Sequence, residues 1–167
     1  MFHLDRHFSL GGALFTLDGI LEAFGGSPAA SGLLKRSTSL PEALDGQAMV
    51  VYSPRRRVDE SLLRPLGDPE DMGGEVLEGD PVLSARIDFS EQGMMAGIFK
   101  ATTGKVRIHF PFTEHATILD GEVTLTDETK QTRTLKKGDS YFIRQGQTVV
   151  WDVKGKHVIK SFFNITR

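Results

Sequence analysis

The sequence predicts an all-β fold, on three observations. From residue 85 onward, short runs rich in Val, Ile, Thr, Phe and Tyr follow one another. Turn residues separate them: Gly104, Asp120-Gly121, Lys137-Gly138-Asp139 and Gln145-Gly146. Nine such runs fit into about eighty residues, a density that suits an antiparallel sandwich or barrel and not an α/β fold.

Taken in order, the chain begins with a different pattern. Leu14, Leu17, Leu21 and Phe24 recur at helical spacing and end at Gly25-Gly26, which predicts a short amphipathic helix, weakened by Gly19. Residues 27–80 carry the turn and loop signals SPAASG, RSTSLPE, YSPRRR and PLGDPEDMGG, with one apolar run at 48–52 as a candidate strand. A boundary near Gly79 follows, with residues 1–77 as an N-terminal arm of helix, loops and extra strands and residues 78–167 as the barrel domain. The predicted strands are 85–89, 95–100, 105–110, 116–119, 122–126, 132–135, 140–143, 148–153 and 158–164.

Composition narrows the chemistry. Lys and Arg number 20 against 22 Asp and Glu, a net charge of -2, so no basic excess draws the chain to nucleic acid or an acidic membrane surface. The run Arg55-Arg56-Arg57 is too short and lacks the aromatic neighbours of a nucleic-acid patch. With no cysteine, there are no disulfides, thiolate metal sites or cysteine nucleophiles, which leaves His and carboxylates as the strong metal ligands. Neither a signal peptide nor an apolar run of membrane-spanning length is visible, and a cytoplasmic protein is expected.

The stretch HFPFTEHATILDGEV, from His109, places His109, Glu114 and His115 close together, a spacing that can supply ligands to a divalent metal. Arg107 and His109 are two apart and share one face of a strand. The apolar alternation by itself allows the opposite register too, with Val106, Ile108 and Phe110 in the core.

Asp80-Pro81, the run from Gly97 to Lys105, Glu114, the run from Gly121 to Asp127, Gly138-Asp139, Gly146 and Trp151 together resemble a small single-domain cupin. The nearest subgroup comprises the ethanolamine-utilisation cupins and the cupin domain of ureidoglycine aminohydrolase, and the resemblance covers roughly residues 78–165. It implies a double-stranded β-helix, a jelly-roll barrel with the site in its mouth. In metal-binding cupins two histidines, a glutamate and a third histidine hold the ion; by the family's spacing these positions fall here on Arg107, His109, Glu114 and Val149. Two of the four retain ligand chemistry, and a guanidinium repels a cation and attracts an anion.

The expected site follows from that departure. Glu114 and His109 are the candidate acid/base pair, and Arg107, Tyr141 and Trp151 the candidate ligand-binding residues. Lys160 matches a recurrent basic position of the family, with His157 nearby. No cofactor is expected; the alternative is a manganese, zinc, iron or nickel ion held by His109 and Glu114.

The functional expectation is a cupin that binds a small polar or anionic molecule, either as a metal-free or weakly metal-assisted enzyme or as a non-catalytic binder. A metal-dependent hydrolase similar to ureidoglycine aminohydrolase and a structural or regulatory cupin are the alternatives. A homodimer is expected in each case.

Overall fold

The computed structural model describes residues 49–166. The helix expected at residues 14–24 lies outside the described residues. The described part is built on eight strands: β1 Arg64–Pro65, β2 Gly74–Gly79, β3 Leu83–Glu91, β4 Met94–His109, β5 Thr113–Asp127, β6 Thr132–Lys136, β7 Ser140–Ile143 and β8 Thr148–Ile165.

Three of these strands are longer than any predicted run. The runs 95–100 and 105–110 are one strand, β4; 116–119 and 122–126 are β5; 148–153 and 158–164 are β8. At Gly104 and Asp120-Gly121 the ladder shifts register instead of reversing direction. The chain therefore bends and continues, which is how a β-bulge curls a sheet into a barrel. Gly121 shows why the sequence permits this: its φ is 74°, and a Cβ there would lie 2.1 Å from the carbonyl oxygen of His157. A hairpin turn remains at residues 127–131, between the paired β5 and β6; the turn at residues 136–139, where Lys136 N–H donates to Asp139 Oδ2 at 2.8 Å, instead carries the chain from β6 to β7, which pair with different halves of β5.

The bends divide each long strand between two sheets. One sheet runs β1, β3, the first half of β4, the second half of β8, the first half of β5, then β7. The other runs β2, the second half of β4, the first half of β8, the second half of β5, then β6. This is the jelly-roll architecture that the cupin resemblance implies, and it brings the inner faces of both sheets onto one core. Ile118, Val123, Trp151 and Val158 meet there, and burying each apolar side chain is worth about 1.5–3 kcal/mol.

The segment ahead of the barrel adds two further features. On the outer face of the first sheet, Ile98, Leu119 and Ile159 pack under Leu63, Tyr52 and Val58. Tyr52 Oη donates to Asp88 Oδ2 at 2.7 Å, and Arg86 Nε holds the other carboxylate oxygen at 2.7 Å. Residues 49–52, expected as part of a strand, form none, because Tyr52 is anchored by its side chain and not by a ladder. Strand β2 begins at Gly74 and pairs with β4, so it crosses the boundary expected near residue 78. Among the described residues no helix is long and apolar enough to cross a membrane.

Candidate functional site

Strand β8 alternates from Val158 through Lys160 and Phe162 to Asn164, and that phase sends a lysine and an asparagine into the barrel among apolar residues. On β5, Glu114 lies directly opposite Asn164, and Ile118 opposite Lys160. On β7, Tyr141 is opposite Ala116.

Their contacts are short and mutual. Lys160 Nζ donates to Glu114 Oε1 at 2.6 Å and to Tyr141 Oη at 2.8 Å, and Tyr141 Oη donates to the same Glu114 oxygen at 2.6 Å. The Lys160 and Glu114 side chains are 6% and 3% exposed, so this ion pair is screened little by solvent or salt. The ammonium also stands over the rings of Trp151, Phe99 and Tyr141, at 4.5, 5.1 and 5.5 Å from their centroids. Trp151 packs edge-on against both Phe99 and Tyr141.

Burial shifts these groups in opposite directions. Loss of hydration pushes the Lys160 ammonium below the usual lysine value, against the pull of Glu114. Burial, reinforced by the Glu114 charge and hydrogen bond, holds the Tyr141 phenol well above its ordinary value.

Glu114 and Lys160 lie on a cavity of about 130 Å³ whose walls include Leu83, Phe99, Phe110, Phe112, Trp151 and Phe162. Leu66, Pro69 and Met72, which precede the cupin-like region, complete the wall. Two further polar atoms belong to lining residues: Trp151 Nε1 and Asn164 Oδ1 are buried and have no hydrogen-bond partner among the described residues. A buried donor and acceptor left this way carry a desolvation cost that no hydrogen bond among the described residues offsets.

The expected residues separate into two groups. Glu114, Tyr141 and Trp151 come together around Lys160. Arg107 and His109 do not join them, which corrects the inward placement implied by the family spacing. Val106, Ile108 and Phe110 turn to the core, while Arg107 pairs with Glu75 on the exposed side of β2 and β4, and His109 Nδ1 lies 3.3 Å from Thr148 Oγ1 at the surface. The reason is register: in the bent β4 the apolar members of the alternation take the inner face. His115 is exposed, and His157 Nε2 contacts Asp120 Oδ2 at 3.0 Å away from the cavity lining. Lys160, which the family pattern offers only as a recurrent basic position, belongs to the site; its period-two phase with Val158 and Phe162 is the sequence signal that marks it as inward.

The same register tests the alternative of a bound metal. The inward positions ahead of Glu114 are Ile108 and Phe110, and Val149 is paired with Ile108 across β4 and β8. None of the three carries a donor atom for a metal, and Glu114 already accepts two hydrogen bonds. Among the described residues no group of three or more His, Cys, Asp or Glu is placed to hold an ion. These residues do not fit a divalent metal, and the pairing of His109 with Glu114 as ligands is corrected accordingly.

Comparison with known proteins is consistent with this architecture. Residues 90–162 match the family model described as the EutQ-like cupin domain. Among solved structures, the chain is similar to the EutQ protein of Clostridium difficile, at 14% identity over 68% of this chain and 82% of that one, with a TM-score of 0.50. It is similar also to a protein of unknown function from Pseudomonas syringae pv. tomato in the DUF861 family, at 21% identity over 62% of this chain and 44% of that one, with a TM-score of 0.56. At these identities the likeness is one of fold. No curated protein matches the chain.

Proposed function

Because the described strands form a small cupin similar to EutQ, we propose that this barrel binds a small organic molecule with an apolar body and one polar group, without a metal. The observation that carries the reading is a buried Lys160–Glu114 pair on the wall of an otherwise apolar cavity, with the Tyr141 hydroxyl hydrogen-bonded to both. An ion pair in such surroundings loses much of its Coulombic gain to desolvation, so it is a poor device for stability alone. A ligand's polar group would engage Lys160 or Glu114, while the aromatic walls take its apolar body.

The size of the cavity limits the ligand. An apolar cavity of about 150 Å³ takes up benzene, so one of about 130 Å³ suits a molecule of that order. The expected anionic ligand loses its main support, because Arg107 lies outside and the internal pair has no net charge. The metal-dependent hydrolase likewise finds no support in the donor set.

The test uses the one tryptophan in the chain, Trp151, which lines the cavity. Its fluorescence should shift or quench saturably with a short branched alcohol, amine or carbonyl compound, and the response should fall in Leu83→Phe, where a larger side chain fills part of the cavity. A flat response across all of these compounds would sink the reading.

A further inference from the structure

Resting on the reading of the barrel as a small-molecule binder, we infer that Lys160 is a nucleophile that captures a small apolar aldehyde or ketone as a protonated Schiff base. Lys160 lines the cavity, and its Nζ has a carboxylate oxygen at 2.6 Å and a phenol oxygen at 2.8 Å. That is the arrangement an amine needs if it is to lose a proton, attack a carbonyl and have the hydroxyl carried off.

The step balances within the cluster. The Lys160 ammonium passes a proton to Glu114, and the freed amine lone pair forms the C–N bond while the carbonyl π pair moves to oxygen. A proton then moves from nitrogen to that oxygen, through Tyr141 or Glu114, to give the carbinolamine. The Glu114 proton joins the hydroxyl, the C–O bond breaks, and water leaves. The product is an iminium on Lys160 with Glu114 again a carboxylate, so one cation facing one anion becomes one cation facing one anion.

Three features of the site favour that product over free lysine. The rings of Trp151, Phe99 and Tyr141 that face the ammonium would face the iminium at the same place. The apolar walls limit the water that would hydrolyse it. Glu114, whose Oε1 is 2.6 Å from Nζ, would remain the counter-charge of the iminium.

The experiment treats the full chain with isovaleraldehyde and sodium cyanoborohydride at neutral pH, and locates the reduced adduct by intact mass and peptide mapping. Trp151 fluorescence is titrated in parallel with isoamyl alcohol, a partner of the same shape that cannot form an imine. Lys160 should carry the alkyl group about tenfold above exposed lysines such as Lys154, because the cavity raises the local concentration of aldehyde beside it. The paired substitution Lys160→Met with Glu114→Gln, which leaves no charge unpaired, should remove that adduct and leave surface labelling intact. Mapping on the unsubstituted chain keeps the test decisive even if that variant does not fold. A fluorescence response to the alcohol with label confined to exposed lysines would overturn the inference and leave the binding reading standing. No response to either compound and no label on Lys160 would overturn both.

Discussion

Lys160 Nζ and Glu114 Oε1 are 2.6 Å apart on adjacent strands of the barrel, with the Tyr141 hydroxyl bonded to both. The register that pairs Ile118 with Lys160 and Glu114 with Asn164 creates this contact by placing all four on the inner face. Its energetic character is asymmetric: replacing both charges costs little, but removing one leaves the other buried and alone.

Glu114→Gln alone should therefore lower the free energy of unfolding by about 3–5 kcal/mol, and Lys160→Met alone by a similar amount. The double substitution should cost much less than the sum of the two. Urea unfolding of the four proteins closes the cycle, and simple additivity would show that the pair is not coupled as its geometry requires.

Both tyrosines of the chain should resist ionisation in the folded state. Burial, then the hydrogen bond and charge of Asp88, raises Tyr52 far above its ordinary value, and burial with Glu114 does the same for Tyr141. The folded protein then holds more protons than the unfolded chain above about pH 10, so this contribution to stability is complete below that pH and is lost as pH rises beyond it. The depressed Lys160 works with the opposite sign and offsets part of the loss. Tyrosinate absorbance followed alongside circular dichroism should rise only as the fold is lost; a full two-tyrosine signal from folded protein at pH 10.5, about half a unit above the ordinary value, would contradict this.

Protein purified without a metal-affinity tag should contain manganese, zinc, iron and nickel far below one ion per chain. Its thermal midpoint should be unmoved by a chelator, since the inward positions near Glu114 are Ile108, Phe110 and Val149. A near-stoichiometric ion lost on Glu114→Gln would require a donor set other than the one these strands present.

Gly121→Ala should destabilise by about 3 kcal/mol or more, because it combines a left-handed backbone with a Cβ 2.1 Å from the His157 carbonyl oxygen. Gly138→Ala shares the positive φ but meets nothing within 4 Å, and should cost about 1 kcal/mol. Equal losses in denaturant unfolding would mean that the bend in β5 is not held against β8 as described.

The β class was legible in the sequence because alternation and turn residues are local properties, read one strand at a time. Glu114, Tyr141 and Trp151 were legible as candidates through the order of residues that resembles a cupin. What local pattern could not distinguish was a turn from a bend: Asp120-Gly121 looks like the tip of a hairpin, yet β5 continues through it, because the partner strand β8 runs alongside on both sides.

The same limit applies to the site. Alternation alone established that Arg107 and His109 share a face, and that Val106, Ile108 and Phe110 share the other; it carried no information on which face the barrel would enclose. That was decided by tertiary packing, since burying three apolar side chains is favourable and burying an unpaired guanidinium is costly. Lys160 could enter the core because β5 and β7 bring it a carboxylate and a phenol from positions 46 and 19 residues away in the chain, a pairing that only the closed barrel supplies.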